Sequence, residues 1–322
     1  MRTPVALGLA AVLVVSALAQ PAAPTSPAPG QTTPPARGPK QFREPSWLMP
    51  PVEGQGLHYQ TFESRTAGTR VSYLLYLPPG YETAPDRRYP VVYWLHGIGG
   101  SQVGVPAMAA RHHEAIASGK TPPMLVVYVN GMIRSGYVDG QYPVETVAIR
   151  ELIPHIDATY RTVATREGRM VEGFSMGGGG AAKWGFKYPE LFGAVSILAG
   201  AMWDPAGPGR GARGGPPAAA STGEARPPDR PDDNPWRLVE RNVERIRGRT
   251  AIRVVVGDQD GLLGTNRQFH EKLDALGLRH EFHVVPEASH SPNPLYDGLG
   301  EKNWTFYRAA WARATGGDKD GG

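Results

Sequence analysis

The sequence predicts a doubly wound α/β fold, with a mostly parallel sheet and antiparallel strands at its N-terminal edge. Three observations carry this. Two short, uninterrupted apolar runs, Val91-Val92-Tyr93-Trp94-Leu95 and Met124 to Val129, have the composition of strands covered on both faces. From Arg88 onward, strand-like runs alternate with segments of helical spacing. The stretch Met170 to Gly178 reads as a strand end, a sharp turn and a small-residue helix, with Ser175 at the apex.

The elements follow in chain order. Leu57 to Ser64 and Arg70 to Leu77 read as two strands about the turn Thr66-Ala67-Gly68, closed by Pro78-Pro79-Gly80-Tyr81. They form the expected antiparallel edge. Val91 to Leu95 and Met124 to Val129 are the first buried strands. Val147 to Ala158 has helical spacing. Arg169 to Gly173 is a strand, and Met176 to Tyr188 is the helix behind the turn. Strands are expected over Gly193–Leu198, Ile252–Val256 and His280–Val285, and helices over Leu262–Leu276 and Asn303–Ala314. One segment breaks the alternation. Asp204 to Pro235 is dominated by Pro, Gly, Ala and Arg and has no hydrophobic periodicity. It reads as a surface insertion (204–235). It follows a strand whose carboxyl end should lie beside Ser175, so a cover over a substrate entrance is the sharper reading.

The chain ends read differently. Met1-Arg2 is positively charged, Val5 to Leu18 is almost wholly apolar, and Ala17-Leu18-Ala19 is a small-x-small site. This predicts a secretory signal peptide over 1–19, cleaved after Ala19. Residues 20–52 are Pro/Ala/Thr/Gly-rich and read as a tether. A single folded domain is expected over 53–315, with a tail at 316–322. The chain has 322 residues and no cysteine. A disulfide scaffold, a thiol nucleophile and a cysteine-linked lipid anchor are therefore excluded. The net charge is +4, with no Lys/Arg cluster interleaved with aromatics. Neither a nucleic-acid partner nor stable membrane insertion is expected.

Gly173-Phe174-Ser175-Met176-Gly177 has the Gly-x-Ser-x-Gly pattern of a nucleophile on a strained strand-to-helix turn. A chain with 41 glycines meets this pattern by chance, so context must decide. A serine hydroxyl needs a base to take its proton and a carboxylate to orient that base. It also needs N–H donors for the developing oxyanion. On such a sheet the order should be serine, acid, histidine. Of nine histidines, His290 lies in a polar loop directly after the last predicted strand, over the carboxyl edge of the sheet. It is the expected base. His270 sits mid-helix, and His280 and His283 fall in a predicted strand. The acid should follow the strand Ile252–Val256, where Gly257-Asp258-Gln259-Asp260 offers two carboxylates. Asp260 is favoured because it lies further into the loop; Asp258 competes. For the oxyanion, the amides of Met176 and Ile98 are expected, the latter in the turn His96-Gly97-Ile98-Gly99-Gly100. His96 reads as a support for that turn. Neither glycine cluster has a phosphate-loop pattern. There is no His-Glu-x-x-His, and His112-His113 alone makes no site. No metal and no cofactor is expected.

With these residues in hand, the chain resembles the "Putative esterase" branch of the α/β-hydrolases. That branch includes feruloyl and acetyl-xylan esterases, S-formylglutathione hydrolase (esterase D), enterochelin esterases and mycolyltransferases. The resemblance runs from about Arg70 to Trp311. It rests on Tyr76-Leu77-Pro78-Pro79-Gly80-Tyr81, on Tyr89 to Gly97, on Glu151 to Asp157, on Gly173 to Gly178 and on Tyr188-Pro189-Glu190-Leu191-Phe192. It implies Ser175 as nucleophile, His290 as base, Asp260 as acid, and the Ile98 and Met176 amides as oxyanion donors. Two departures stand out. Many members carry a tryptophan two residues after the catalytic histidine, where this chain has Ser291-Pro292, and the Pro/Gly insertion is not general.

The expectation is therefore an exported serine carboxylic-ester hydrolase acting on feruloyl or acetyl esters of plant polysaccharide, or on small esters. Acyl transfer to a sugar hydroxyl is the alternative within enzymes. A non-catalytic binding protein on a hydrolase fold is the alternative outside them. Trp203, Met202, Asn130 and Tyr137 are the expected substrate-contacting residues.

Overall fold

The computed structural model describes residues 46–99, 104–202, 204 and 231–313. The expected signal peptide (1–19), the tether up to residue 45, most of the insertion (205–230), Trp203 and the tail at 316–322 lie outside the described residues.

Among the described residues, eight strands form one sheet: β1 (Leu57–Ser64), β2 (Thr69–Tyr76), β3 (Val91–Leu95), β4 (Leu125–Val129), β5 (Arg169–Phe174), β6 (Ala194–Leu198), β7 (Ala251–Gly257) and β8 (Glu281–Val285). Their order is β1-β2-β4-β3-β5-β6-β7-β8. β1 pairs antiparallel with β2, and β2 antiparallel with β4. All other pairings are parallel. The protein is an α/β-hydrolase fold with an antiparallel N-terminal edge.

The apolar runs become the middle of the sheet. Every residue of β3, β4, β5 and β6 is buried. Because side chains alternate between faces, β3 feeds two separate cores. Val91, Tyr93 and Leu95 join one, with α4 (Met176–Lys187) and α7 (Leu263–Ala275). Val92 and Trp94 join the other, with α1 (Val105–Ala117), α8 (Pro292–Leu299) and α9 (Glu301–Ala312).

The strand order positions the site. The chain passes from β3 outward to β4, then returns to the other side of β3 for β5 and continues away through β6, β7 and β8. The connections after β3 and β5 therefore diverge, and a crevice opens at the carboxyl ends of these two neighbours. Register places Leu95 beside Gly173, so His96-Gly97 and Phe174-Ser175 emerge side by side.

Several helices were not legible in the sequence. α1 was unassigned. The predicted helix over 147–158 is a longer composite: α2 (Val144–Thr146), a π-helical stretch (Val147–Leu152) and α3 (Ile153–Thr159). The insertion is also shorter at its far end than expected. A 3₁₀ turn (Pro231–Asp233) leads into α5 (Pro235–Arg241), followed by α6 (Val243–Ile246). Asn234 caps α5 by accepting a hydrogen bond from the Trp236 amide at 3.0 Å, and Pro235 takes the first helical position. Likewise Ser291-Pro292 after His290 is a helix start, with proline in the first turn of α8. Among the described residues, no helix is long and apolar enough to cross a membrane.

Candidate active site

Ser175 occupies the turn between β5 and α4. Its backbone has φ 58° and ψ −115°, a conformation that costs a non-glycine residue about 1–3 kcal/mol. The surrounding structure holds it there. The Ser175 amide donates to the Leu198 carbonyl at 2.9 Å, and the Ser175 carbonyl accepts from Gly179 and Ala201 at 3.0 and 2.8 Å. Tight packing explains the second glycine of the motif. A Cβ on Gly177 would lie 2.0 Å from the Leu95 carbonyl oxygen, so only glycine lets α4 start this close to β3.

His290 lies in the loop between β8 and α8. Its Nε2 is 2.8 Å from Ser175 Oγ, and its Nδ1 is 2.7 Å from Asp260 Oδ2. The ionised carboxylate accepts only, so Nδ1 carries the proton and Nε2 is free to accept from the serine hydroxyl. The second oxygen of Asp260, Oδ1, accepts from the Leu262 amide at 2.8 Å, which fixes the carboxylate plane. Asp258 is exposed and makes no side-chain approach to His290; its amide donates to the Val285 carbonyl at 3.0 Å.

The loops that carry Asp260 and His290 are joined by backbone bonds. Asp258 reaches Val285, and the Gln259 amide donates to the Ala288 carbonyl at 3.1 Å. Gly257 makes this approach possible, since a Cβ there would meet the Ala288 oxygen at 1.9 Å. On the other side, the Phe174 ring packs against the His290 imidazole, with centroids 4.7 Å apart and planes at 38°. The residue between Gly173 and Ser175 is thus a wall for the His290 imidazole, a contact the motif alone does not reveal.

The turn after β3 comes equally close. A Cβ on Gly97 would touch Ser175 Cβ at 3.3 Å. The Ile98 backbone therefore runs beside the serine, with the Ile98 side chain 58% exposed. Met176 opens α4, where first-turn amides have no partner within the helix. These are the two amides expected as oxyanion donors. His96 holds the turn. Its Nε2 accepts from the Gly131 amide at 3.1 Å, and its Nδ1–H donates to the Gly97 carbonyl at 2.8 Å. Burial holds its pKa below the ordinary value, which favours this neutral tautomer.

Three of the four residues expected to contact substrate are buried, and the fourth, Trp203, lies outside the described residues. Asn130 is buried, and its amide donates to the Ser46 and Trp47 carbonyls at 3.0 Å each. Tyr137 is fully buried; its hydroxyl donates to the His96 carbonyl at 3.0 Å and its ring packs edge-on against Trp184. Met202 is buried in the core. Tyr137 thereby supports the turn after β3, and all three offer almost no surface to a ligand.

Beneath the site lies a buried polar network that sequence reasoning missed. Glu172, three residues before Ser175, pairs with Arg253 of β7 at 2.9 Å, both fully buried. Glu172 Oε1 accepts from the Tyr307 hydroxyl at 2.9 Å and from Tyr296 of α8. Arg253 donates to Ser196 of β6 and to Asn303 of α9. The network joins the strand that bears Ser175, the strand that leads to Asp260 and the helix that follows His290. The signal was available: two charged residues interrupt runs that otherwise read as wholly buried strands.

Comparison with known proteins bears on this arrangement. The model of the "Putative esterase" family matches residues 64–316. An esterase of Mycobacterium tuberculosis (Esterase Rv1288) is 34% identical over 150 residues, covering 45% of this chain and 32% of that protein. An endo-1,4-beta-xylanase/feruloyl esterase of Xylanibacter ruminicola is 33% identical over 157 residues, covering 45% of this chain and 22% of that protein. This chain thus spans a third or less of the curated relatives it matches. Among solved structures, a ferulic acid esterase superposes with a TM-score of 0.64 at 24% identity, covering 79% of this chain and 98% of that one. That likeness is one of fold.

Proposed function

This chain belongs to the "Putative esterase" family, and from that premise we propose that it is an exported serine carboxylic-ester hydrolase. The observation that carries the reading is the chain of contacts from Ser175 Oγ through His290 to Asp260, at 2.8 and 2.7 Å. In the proposed reaction, Ser175 Oγ attacks the ester carbonyl while His290 Nε2 takes its proton. The carbonyl oxygen becomes an anion held by the Met176 and Ile98 amides. The intermediate collapses, the C–O bond to the alcohol breaks, and His290 returns the proton to the leaving oxygen. Water then repeats the sequence on the acyl-enzyme and releases the acid. Asp260 keeps the imidazole in the productive tautomer and stabilises it when it is cationic.

Feruloyl or acetyl esters are the proposed substrates. The relative named as a feruloyl esterase supports this choice, as does the expected export of the chain. The test is covalent labelling with a fluorophosphonate probe, followed by a panel of acetyl, butyryl, octanoyl and feruloyl esters. Wild type should label and Ser175→Ala should not; labelling that persists in Ser175→Ala overturns the nucleophile assignment. Product analysis with a sugar acceptor present separates hydrolysis from acyl transfer.

A further inference from the structure

Where α7 turns back into β8, two imidazoles and a carboxylate converge. His270 and Asp274 are one turn apart on α7 and so share a face. His280 lies just before β8. His270 Nδ1 and His280 Nε2 are 2.7 Å apart, His270 Nε2 is 3.5 Å from Asp274 Oδ2, and His280 Nδ1 is 3.9 Å from Asp274 Oδ1. A ligand atom from each of the three lies within 4.8 Å of the others.

Two further contacts prepare the rings. His280 Nδ1 is 2.7 Å from the Leu278 carbonyl oxygen, so that nitrogen carries the hydrogen and Nε2 presents its lone pair toward His270. Metal-bound histidines are commonly fixed in this way, by donation from the other ring nitrogen to a backbone carbonyl. The His270 ring stacks on Phe282, with centroids 4.3 Å apart and planes at 9°. Access is graded: the His280 side chain is 2% exposed, His270 28% and Asp274 62%. Both Asp274 approaches are to the nitrogens that face away from the His270–His280 contact, so the exposed carboxylate joins the ion by rotating its side chain toward the facing pair.

We propose that His270, His280 and Asp274 form a site for one divalent transition-metal ion of the zinc type, with its fourth position open to water. Two imidazole nitrogens and one carboxylate suit zinc and disfavour magnesium or calcium, which take oxygen ligands. The ion enters between the two facing nitrogens, and the proton that His270 Nδ1 now donates to His280 Nε2 passes to His270 Nε2, so both rings stay neutral. Zinc–nitrogen bonds of about 2.0–2.1 Å in a tetrahedron set the nitrogens roughly 3.3 Å apart, so the rings need only part slightly. The site clips the end of α7 to the start of β8 and takes no part in ester chemistry. The trio matches no short metal-binding motif such as His-Glu-x-x-His, so the sequence predicts no metal.

The test is calorimetric titration of the full chain with zinc sulfate after chelator treatment, with thermal melts and the visible spectrum of the cobalt(II) form. One equivalent should bind and raise the melting midpoint, and cobalt should give the intense absorption of a four-coordinate site. His270→Gln should weaken zinc binding by about 100-fold and Asp274→Asn by about 10-fold. Both side chains are partly exposed, so these variants should fold, which far-UV circular dichroism checks. The proposal is overturned if wild type takes up no zinc, or if affinity is unchanged in a His270→Gln/Asp274→Asn double variant. These readouts do not depend on ester hydrolysis, so failure here leaves the hydrolase reading untouched.

Discussion

Asp260 Oδ2 sits 2.7 Å from His290 Nδ1, with the Asp260 side chain 1% exposed and the His290 side chain 40% exposed. A buried acceptor thus steers a ring that is itself open to solvent. Replacing Asp260 with Asn swaps a pure acceptor for an amide that can favour the wrong imidazole tautomer. Asp260→Asn should lower kcat by about 10³- to 10⁴-fold with little change in KM. Asp258→Asn, at an exposed position that does not approach the imidazole, should stay within about threefold, since it leaves the base and its tautomer unaltered. Steady-state kinetics on one chromogenic ester decides between them; a larger loss at Asp258 would reverse the assignment.

The acid and base loops meet at Gly257, where a Cβ would lie 1.9 Å from the Ala288 oxygen. Gly257→Ala must push the loops apart. We expect a stability loss of about 1–3 kcal/mol, as for other overpacked sites, together with a fall in kcat because Asp260 and His290 separate. Urea denaturation and kinetics on the same sample check both. A variant that is destabilised yet fully active would show that the loop junction does not set the Asp260–His290 distance.

Glu172 and Arg253 are fully buried and paired, so neither can lose its partner cheaply. Glu172→Gln and Arg253→Met should each cost about 3–5 kcal/mol, because each leaves polar groups uncompensated. The double variant should cost less than the two summed, since neither charge then remains alone. A double-mutant cycle by urea denaturation measures the coupling.

His112 touches the same network, with Nε2 3.4 Å from the Tyr307 hydroxyl and Nδ1 3.3 Å from that of Tyr128. Burial pushes its pKa down to about 4, against the pull of Glu172. In the unfolded chain the imidazole returns to about 6.5. Between these values the unfolded chain binds more protons, so stability is complete above about pH 6.5 and is lost as pH falls toward 4. At pH 5 the loss from this group is about 2 kcal/mol. The drop in unfolding free energy between pH 7 and pH 5 should therefore be smaller in His112→Gln than in wild type by about that amount.

How much of this was legible depends on the residue. The sheet was, because Val91–Leu95 and Leu125–Val129 are apolar throughout and strands buried on both faces have no other pattern. The positions of Ser175, Asp260 and His290 stand out in the sequence because each falls just past a readable strand. α8 was hidden by Pro292, Pro294 and Gly298, residues that count as breakers until one sees that the first proline sits in the first turn. The surroundings of Asn130 and Tyr137 are not legible for another reason. Sequence gives a side chain's chemistry but not its direction, and the carbonyls that occupy Asn130 come from a segment more than 80 residues away.

Ser175 and His290 are 115 positions apart, yet they touch, and the last strand must dock before they can. Contacts of such long range form late, after the cost of closing the intervening chain has been met. A chain arrested before β8 is added holds the Ser175 hydroxyl without the His290 imidazole beside it. Under the hydrolase reading, recovery of hydrolysis during refolding therefore times the final closure of the molecule, and no partly folded intermediate should process esters on the way.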